Sequence, residues 1–292
     1  MNFFSNSLMI ITGIYVFIFF IHGILTLKNV NRSTNVWFTL LAFFYVLHNI
    51  TVFLIHNAVE IHQYVNIARF RMFFTAGAMI SLLWFGIKYA NYRGKKYAKW
   101  VVTGIWIILP CIRVFHPHLL SYTTIYDIRT INLPWGESIS HPTGEPTVFL
   151  LIFYLFTLFT LFYTFLIVTQ YAQEKYKRKI FTIISFIYVI AFIHDMGIIV
   201  FNVNWFPIGH LGSLNMILIV SFSIFNSLRT VEKLQKKLKA QQERLNLAIF
   251  GTGAGLWDWN LITNQVIIND QYANMLGYKR KEIAPFSFDR CF

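Results

Sequence analysis

Seven long apolar stretches constrain this chain more than any other feature of it. They run approximately over 7–27, 36–56, 67–87, 100–116, 147–169, 180–201 and 207–228. A bilayer core of about 30 Å takes roughly 20 apolar residues in helix to cross, and each stretch answers to that length. The fourth is the shortest and is interrupted by Pro110 and Arg113. Only 13% of the 292 residues are charged, against roughly a quarter in soluble domains. The sequence therefore predicts a mainly α fold whose first part, 1–228, is a seven-helix transmembrane bundle. The first stretch is expected to be a retained span rather than a signal peptide. No basic residue precedes Lys28, no small-residue cleavage site follows, and more spans come after it.

The basic residues predict an orientation, because short cytoplasmic loops collect Lys and Arg. With the N-terminus outside, two fall in the first cytoplasmic loop, five in the second, four in the third and ten after Leu228. That places 21 inside and leaves only Arg69, Arg71, Arg113 and Arg129 at the outer side. The same asymmetry accounts for the net charge of +13 without nucleic acid as a partner. The expected location is a bacterial inner membrane, with the C-terminus cytoplasmic. The one sizeable outer segment, about 117–146, is too short for an independent domain and is expected to form a hairpin or lid over the bundle. The two cysteines, Cys111 and Cys291, are too few for a disulfide framework.

After the last span, Val231, Leu234, Leu238, Gln241, Leu245 and Ala248 recur at spacings of three and four, the seam of a coiled coil. The segment 229–248 is thus predicted to be a short signalling linker that pairs two copies of the chain. A basic amphipathic helix on anionic lipid is the other reading of the same residues.

Residues 245–278 read LNLAIFGTGAGLWDWNLITNQVIINDQYANMLGY. LWDWNL alternates as a strand, Thr263 and Asn264 turn, QVIIND alternates again, and QYANMLGY reads as a short helix. Gly251, Gly253 and Gly255 precede a strand rather than a helix, which excludes a dinucleotide-binding loop. This run resembles the opening of the PAS family, whose members show a GTGDGLWDWN-like entry and an MLGY-like helix. Ala254 stands where an acidic or polar residue is usual. The resemblance implies an incomplete α+β PAS domain over 249–292, with two strands and the first helices present. The membrane part is similar, by span count and topology, to sensor regions ahead of bacterial histidine kinases and diguanylate cyclases. What that implies is a membrane-bound transducer relaying an external or membrane stimulus to an output of that kind. No kinase or cyclase signature occurs here, so no catalytic residue is expected. The sequence assigns no cofactor. A transporter, or a receptor without enzymatic output, is the alternative.

Polar side chains within a bilayer are costly and therefore informative. His48, Asn49, Arg71, His194, Asp195, His210 and Asn215 are expected at similar depth below the outer face and are the candidate ligand-binding residues. Arg71 and Asp195, each about 10 Å in, are expected to form a buried ion pair. Three roles compete for this layer: mutual structural satisfaction, a pocket for a small-molecule signal, and a metal, haem or proton site. No histidine pair has a spacing specific for a metal, and His116 with His118 would ligate together only on a strand.

Overall fold

The computed structural model describes residues 3–28, 31–94, 96–115, 122–133, 135–201, 207–283 and 286–287. About 77% of it is helical, with two small sheets. The chain divides into two compact units, Met1–Ile224 and Phe225–Phe292.

In the first unit every expected span is a helix: α1 (Phe3–Leu27), α2 (Arg32–His56), α3 (Ile61–Tyr89), α4 (Lys96–Phe115), α5 (Val148–Tyr171), α6 (Lys175–Phe201) and the beginning of α7 (Gly209–Thr252). Six of them are long and apolar enough to cross a membrane, the build of a multi-pass membrane protein. The fourth departs from the expected seven, because its apolar part is confined to Tyr97–Ile112. Lys96 and Lys99 bound it at one end, and Pro110 interrupts it near the other. Side chains such as Ile10, Phe17, Phe186 and Phe222 point outward with more than half their surface exposed. In water that would be an aggregation liability; in lipid it is the expected outer face.

Helix α3 lies at the centre, packed against α2, α4 and α5. Its residues Ser81 to Ile87 are buried without interruption. Small residues set the closest approaches. A methyl group at Gly77 would stand 2.4 Å from the Phe44 ring, and one at Gly86 would stand 2.5 Å from Thr164. Polar side chains in the interior pair across helices, as an apolar solvent demands. His22 bridges α1 to Asn35 of α2 at 2.8 Å and to Ser221 of α7 at 3.0 Å. The Trp84 indole N–H donates to Thr103 at 3.0 Å, and that of Trp106 donates to Thr160 at 2.9 Å.

Between α4 and α5 the chain forms the expected hairpin, β1 (Tyr122–Asn132) antiparallel to β2 (Ser138–Pro146). Its apolar side chains Ile131, Leu133 and Ile139 pack into one cluster with Phe4, Leu8 and Val52 of α1 and α2. Ile125 and Ile128 pack on a second cluster that includes Tyr64 and Ala68 of α3. The hairpin is therefore bound to the bundle by burial of both its strands.

The second unit begins within α7, which passes residue 228 without a break. Span and linker are one helix, and the seam residues Val231, Leu234, Leu238 and Leu245 are 48–66% exposed along it. Beyond Gly253, which takes a left-handed φ of +64°, come β3 (Trp257–Asn260), β4 (Gln265–Ile268), α8 (Asp270–Met275), α9 (Arg280–Ile283) and β5 (Phe286–Ser287). The three strands form an antiparallel sheet in the order β3-β4-β5. Trp259 stands opposite Val266, and Val266, Ile268 and Ala273 make a small core flanked by Trp259 and Tyr272. The turn falls where the sequence places it. Asn260 accepts from Ile262 N at 3.0 Å and Thr263 N at 3.1 Å, an Asx turn. Asn269 caps α8 through Tyr272 N. Gly277, at φ +81°, terminates it in the conformation that glycine adopts without strain.

Candidate functional site

Four of the seven candidate residues converge on one cavity of about 200 Å³ in the first unit. His48 reaches it from α2, Arg71 from α3, Asp195 from α6 and His210 from α7. The remaining wall comes from α5, through Phe153 and Thr157, and from the hairpin, through Ser140, His141 and Pro142. Five helices and the hairpin thus enclose it, with the hairpin closing one side.

The other three candidates lie off this wall. Asn49 is fully buried, and neither of its side-chain polar atoms has a partner among the described residues. His194 is half-buried and donates from Nδ1 to Asp195 Oδ1 at 3.2 Å. Asn215 is exposed and donates to Leu211 O of its own helix at 3.0 Å. Equal depth placed these residues with the others; rotation about their helix axes separates them. His116 and His118 lie outside the described residues.

The expected ion pair between Arg71 and Asp195 is not formed. Asp195 accepts from Ile208 N at 2.7 Å and from Gly209 N at 2.9 Å. Its carboxylate therefore caps the beginning of α7, where unsatisfied N–H groups and the helix dipole favour an anion. The approach is close enough that a methyl group at position 209 would stand 2.5 Å from Asp195 Oδ2, so a side chain there would have to displace that carboxylate. Arg71, on the same cavity, has no hydrogen bond or ion pair from its guanidinium among the described residues.

Several residues of the site were not among the candidates. His56 bonds through Nδ1 to the Ser140 carbonyl of the hairpin at 3.2 Å, which fixes the proton on that nitrogen. His48 Nδ1 meets Thr75 Oγ1 at 3.1 Å. The Tyr45 hydroxyl donates to that of Tyr188 at 3.2 Å, and both tyrosines line the cavity. His141 is buried on the hairpin. Burial, with Arg71 and Arg129 nearby, pushes its imidazole below the ordinary value against a hydrogen bond with Pro142, so the ring is neutral at pH 7. The sequence signal for His56 and His141 is a histidine at the end of an apolar stretch or in the segment that follows one; nothing in a sequence marks a tyrosine as a wall residue.

A latch holds the hairpin side of this arrangement. Glu137, at the hairpin turn and buried, accepts hydrogen bonds from Phe4 N, from Ser5 N at 2.9 Å, from Ser5 Oγ at 2.7 Å and from the Trp135 indole N–H at 3.1 Å. Phe4 and Ser5 are in the first turn of α1, so an acid far along the chain does the work of a helix cap. Burial opposes its ionisation, but the bonds from Ser5, Phe4 and Trp135 outweigh that and hold its pKa below the ordinary carboxylate range. The Phe4 ring in turn packs edge-on against His56 at 5.2 Å and His210 at 5.3 Å, both cavity residues.

Chemically, the site offers one guanidinium, a carboxylate already engaged, imidazoles, hydroxyls and an apolar lining. Among the described residues no three His, Cys, Asp or Glu side chains stand together as a metal site. Such a lining can hydrogen-bond and enclose a small molecule. No family model matches the chain, and no curated protein is found to be similar to it.

Proposed function

We propose that this chain is a membrane-bound signal sensor, in which a stimulus at the cavity is relayed along α7 to a PAS domain. The output it would control is of the histidine kinase or diguanylate cyclase type. In this reading the protein sits in a bacterial inner membrane with the hairpin outside and works as a homodimer joined through the seam of 231–248. The observation that carries the reading is the continuity of α7. His210 and Ser213, near its start, line the cavity, and the same helix continues unbroken to Thr252. At 44 residues it is about twice the length a bilayer crossing needs. A ligand that favours one seating of α7 over another shifts the populations of the two by its differential affinity, and the helix carries that difference onward.

The exposed apolar seam supports the dimer. Four large apolar residues at coiled-coil spacing, each about half or more exposed, bury their stripe most simply against a second copy in parallel register. Cysteine crosslinking in membranes tests this, in a background of Cys111→Ser and Cys291→Ser. Leu238→Cys, on the seam, should join two copies readily, and Lys237→Cys, off it, should do so poorly. Equal crosslinking at the two positions would sink the coiled coil and return the chain to a transporter or a receptor without enzymatic output.

A further inference from the structure

Arg71 presents a problem that the chain itself does not solve. It sits ten residues into a membrane-crossing helix, where a charged side chain is costly without a partner, and its guanidinium has none among the described residues. Asp195, the acid on the same cavity, has both oxygens engaged by Ile208 N and Gly209 N. Glu137, the buried acid of the hairpin, is committed to α1. A cation that faces a cavity, with Asp195 and Glu137 already engaged among the described residues, is arranged to receive an anion from outside the chain.

We infer that the cavity binds a small organic monocarboxylate, held by Arg71 and seated with its apolar body against Met72, Met79 and Phe153. The inference rests on the sensor reading above and names its ligand class. Three observations fix that class. A guanidinium presents a planar pair of N–H donors that matches a carboxylate two bonds at a time. Arg71, the one Lys or Arg among the described residues that line the cavity, balances one negative charge, and the carboxylate of Asp195 on the same cavity disfavours a second. The volume of about 200 Å³ is somewhat larger than the roughly 150 Å³ cavity that accommodates benzene in another protein. The occupant is thus a single ring or a short chain, on the order of ten non-hydrogen atoms by that scaling.

The test uses the full chain in lipid nanodiscs, with benzoate and hexanoate as probes. Benzamide and hexanamide serve as neutral counterparts of the same shape, and inorganic phosphate as a compact anion. Calorimetry should give the carboxylates at least a tenfold tighter Kd than the amides, and Arg71→Gln should erase that difference. Should Arg71→Gln not fold, Arg71→Lys decides, because a point charge lacks the paired donors and should weaken carboxylate binding by about tenfold. No binding of either carboxylate, equal binding of the amides, phosphate binding as tightly, or unchanged affinity in Arg71→Lys would each overturn the inference. Absence of the carboxylate preference in the wild-type chain, with seam crosslinking at Leu238→Cys intact, refutes the ligand class alone. Intact preference with no seam crosslinking refutes the relay alone.

Discussion

Replacing Glu137 by alanine should release the hairpin from the first helix. The wild-type carboxylate accepts four hydrogen bonds, two of them from the backbone of Phe4 and Ser5 in the first turn of α1. Loss of a helix cap costs about 1 kcal/mol. A buried donor left unpaired costs about 1–3 kcal/mol, and Phe4 N, at a residue only 2% exposed, becomes such a donor. The docking of the hairpin should therefore weaken by about 2–4 kcal/mol, the sum of those two terms. Glu137→Gln keeps an acceptor oxygen and should lose roughly half as much. Hydrogen exchange of peptides from 122–146, measured on the full chain in nanodiscs, reads this directly. At about 1.4 kcal/mol per tenfold, exchange should accelerate by roughly 30- to 1000-fold in the alanine variant. The pH dependence has a definite sign. Glu137 is held below the ordinary carboxylate range in the folded state, so its contribution is complete above that range. It is lost as pH falls through the lower, folded value. Acid should thus loosen the wild-type hairpin and leave Glu137→Gln unaffected. Exchange in Glu137→Ala within threefold of wild type would refute the latch.

Two further predictions concern the start of α7. Asp195→Asn should cost on the order of 1–2 kcal/mol through its lost cap, and combining it with Arg71→Gln should give additive losses in thermal unfolding. A coupling above about 0.5 kcal/mol in that double-mutant cycle would mean that the two side chains do pair. Gly209→Ala should lower Tm by pushing a methyl group into Asp195, whereas Gly197→Ala, which meets nothing within 4 Å, should not; equal Tm values for the two would refute the close approach.

The sequence by itself determined where the helices lie. A bilayer imposes a length and an apolar composition on each crossing segment, and both are local properties that survive without any partner. The apolar seam of 231–248 and the strand, turn and helix of 256–278 were legible for the same reason. Trp259, Asn260 and Asn264 act on residues a few places away. Even the hairpin was legible as an element, from its alternation and its breakers. The level of a residue along its helix was legible too, since a fixed rise per residue converts sequence number into distance along the axis.

Only the tertiary structure decided which side chains meet. Depth put Arg71, Asp195, Asn49 and Asn215 in one layer, but contact also depends on how far each helix is rotated, and that is set by packing against all its neighbours together. Asn215 consequently is exposed, Asn49 is buried away from the cavity, and Arg71 lines it without a partner among the described residues. Charge alone pointed Asp195 at Arg71. The competitor that won was a pair of backbone N–H groups at the beginning of α7, donors that every residue but proline carries and that no letter of a sequence distinguishes. Glu137 follows the same logic: its partners are the backbone of Phe4 and Ser5, more than 130 residues away. Backbone groups become specific partners only once a helix end has been brought beside a carboxylate, and bringing it there is the work of the fold.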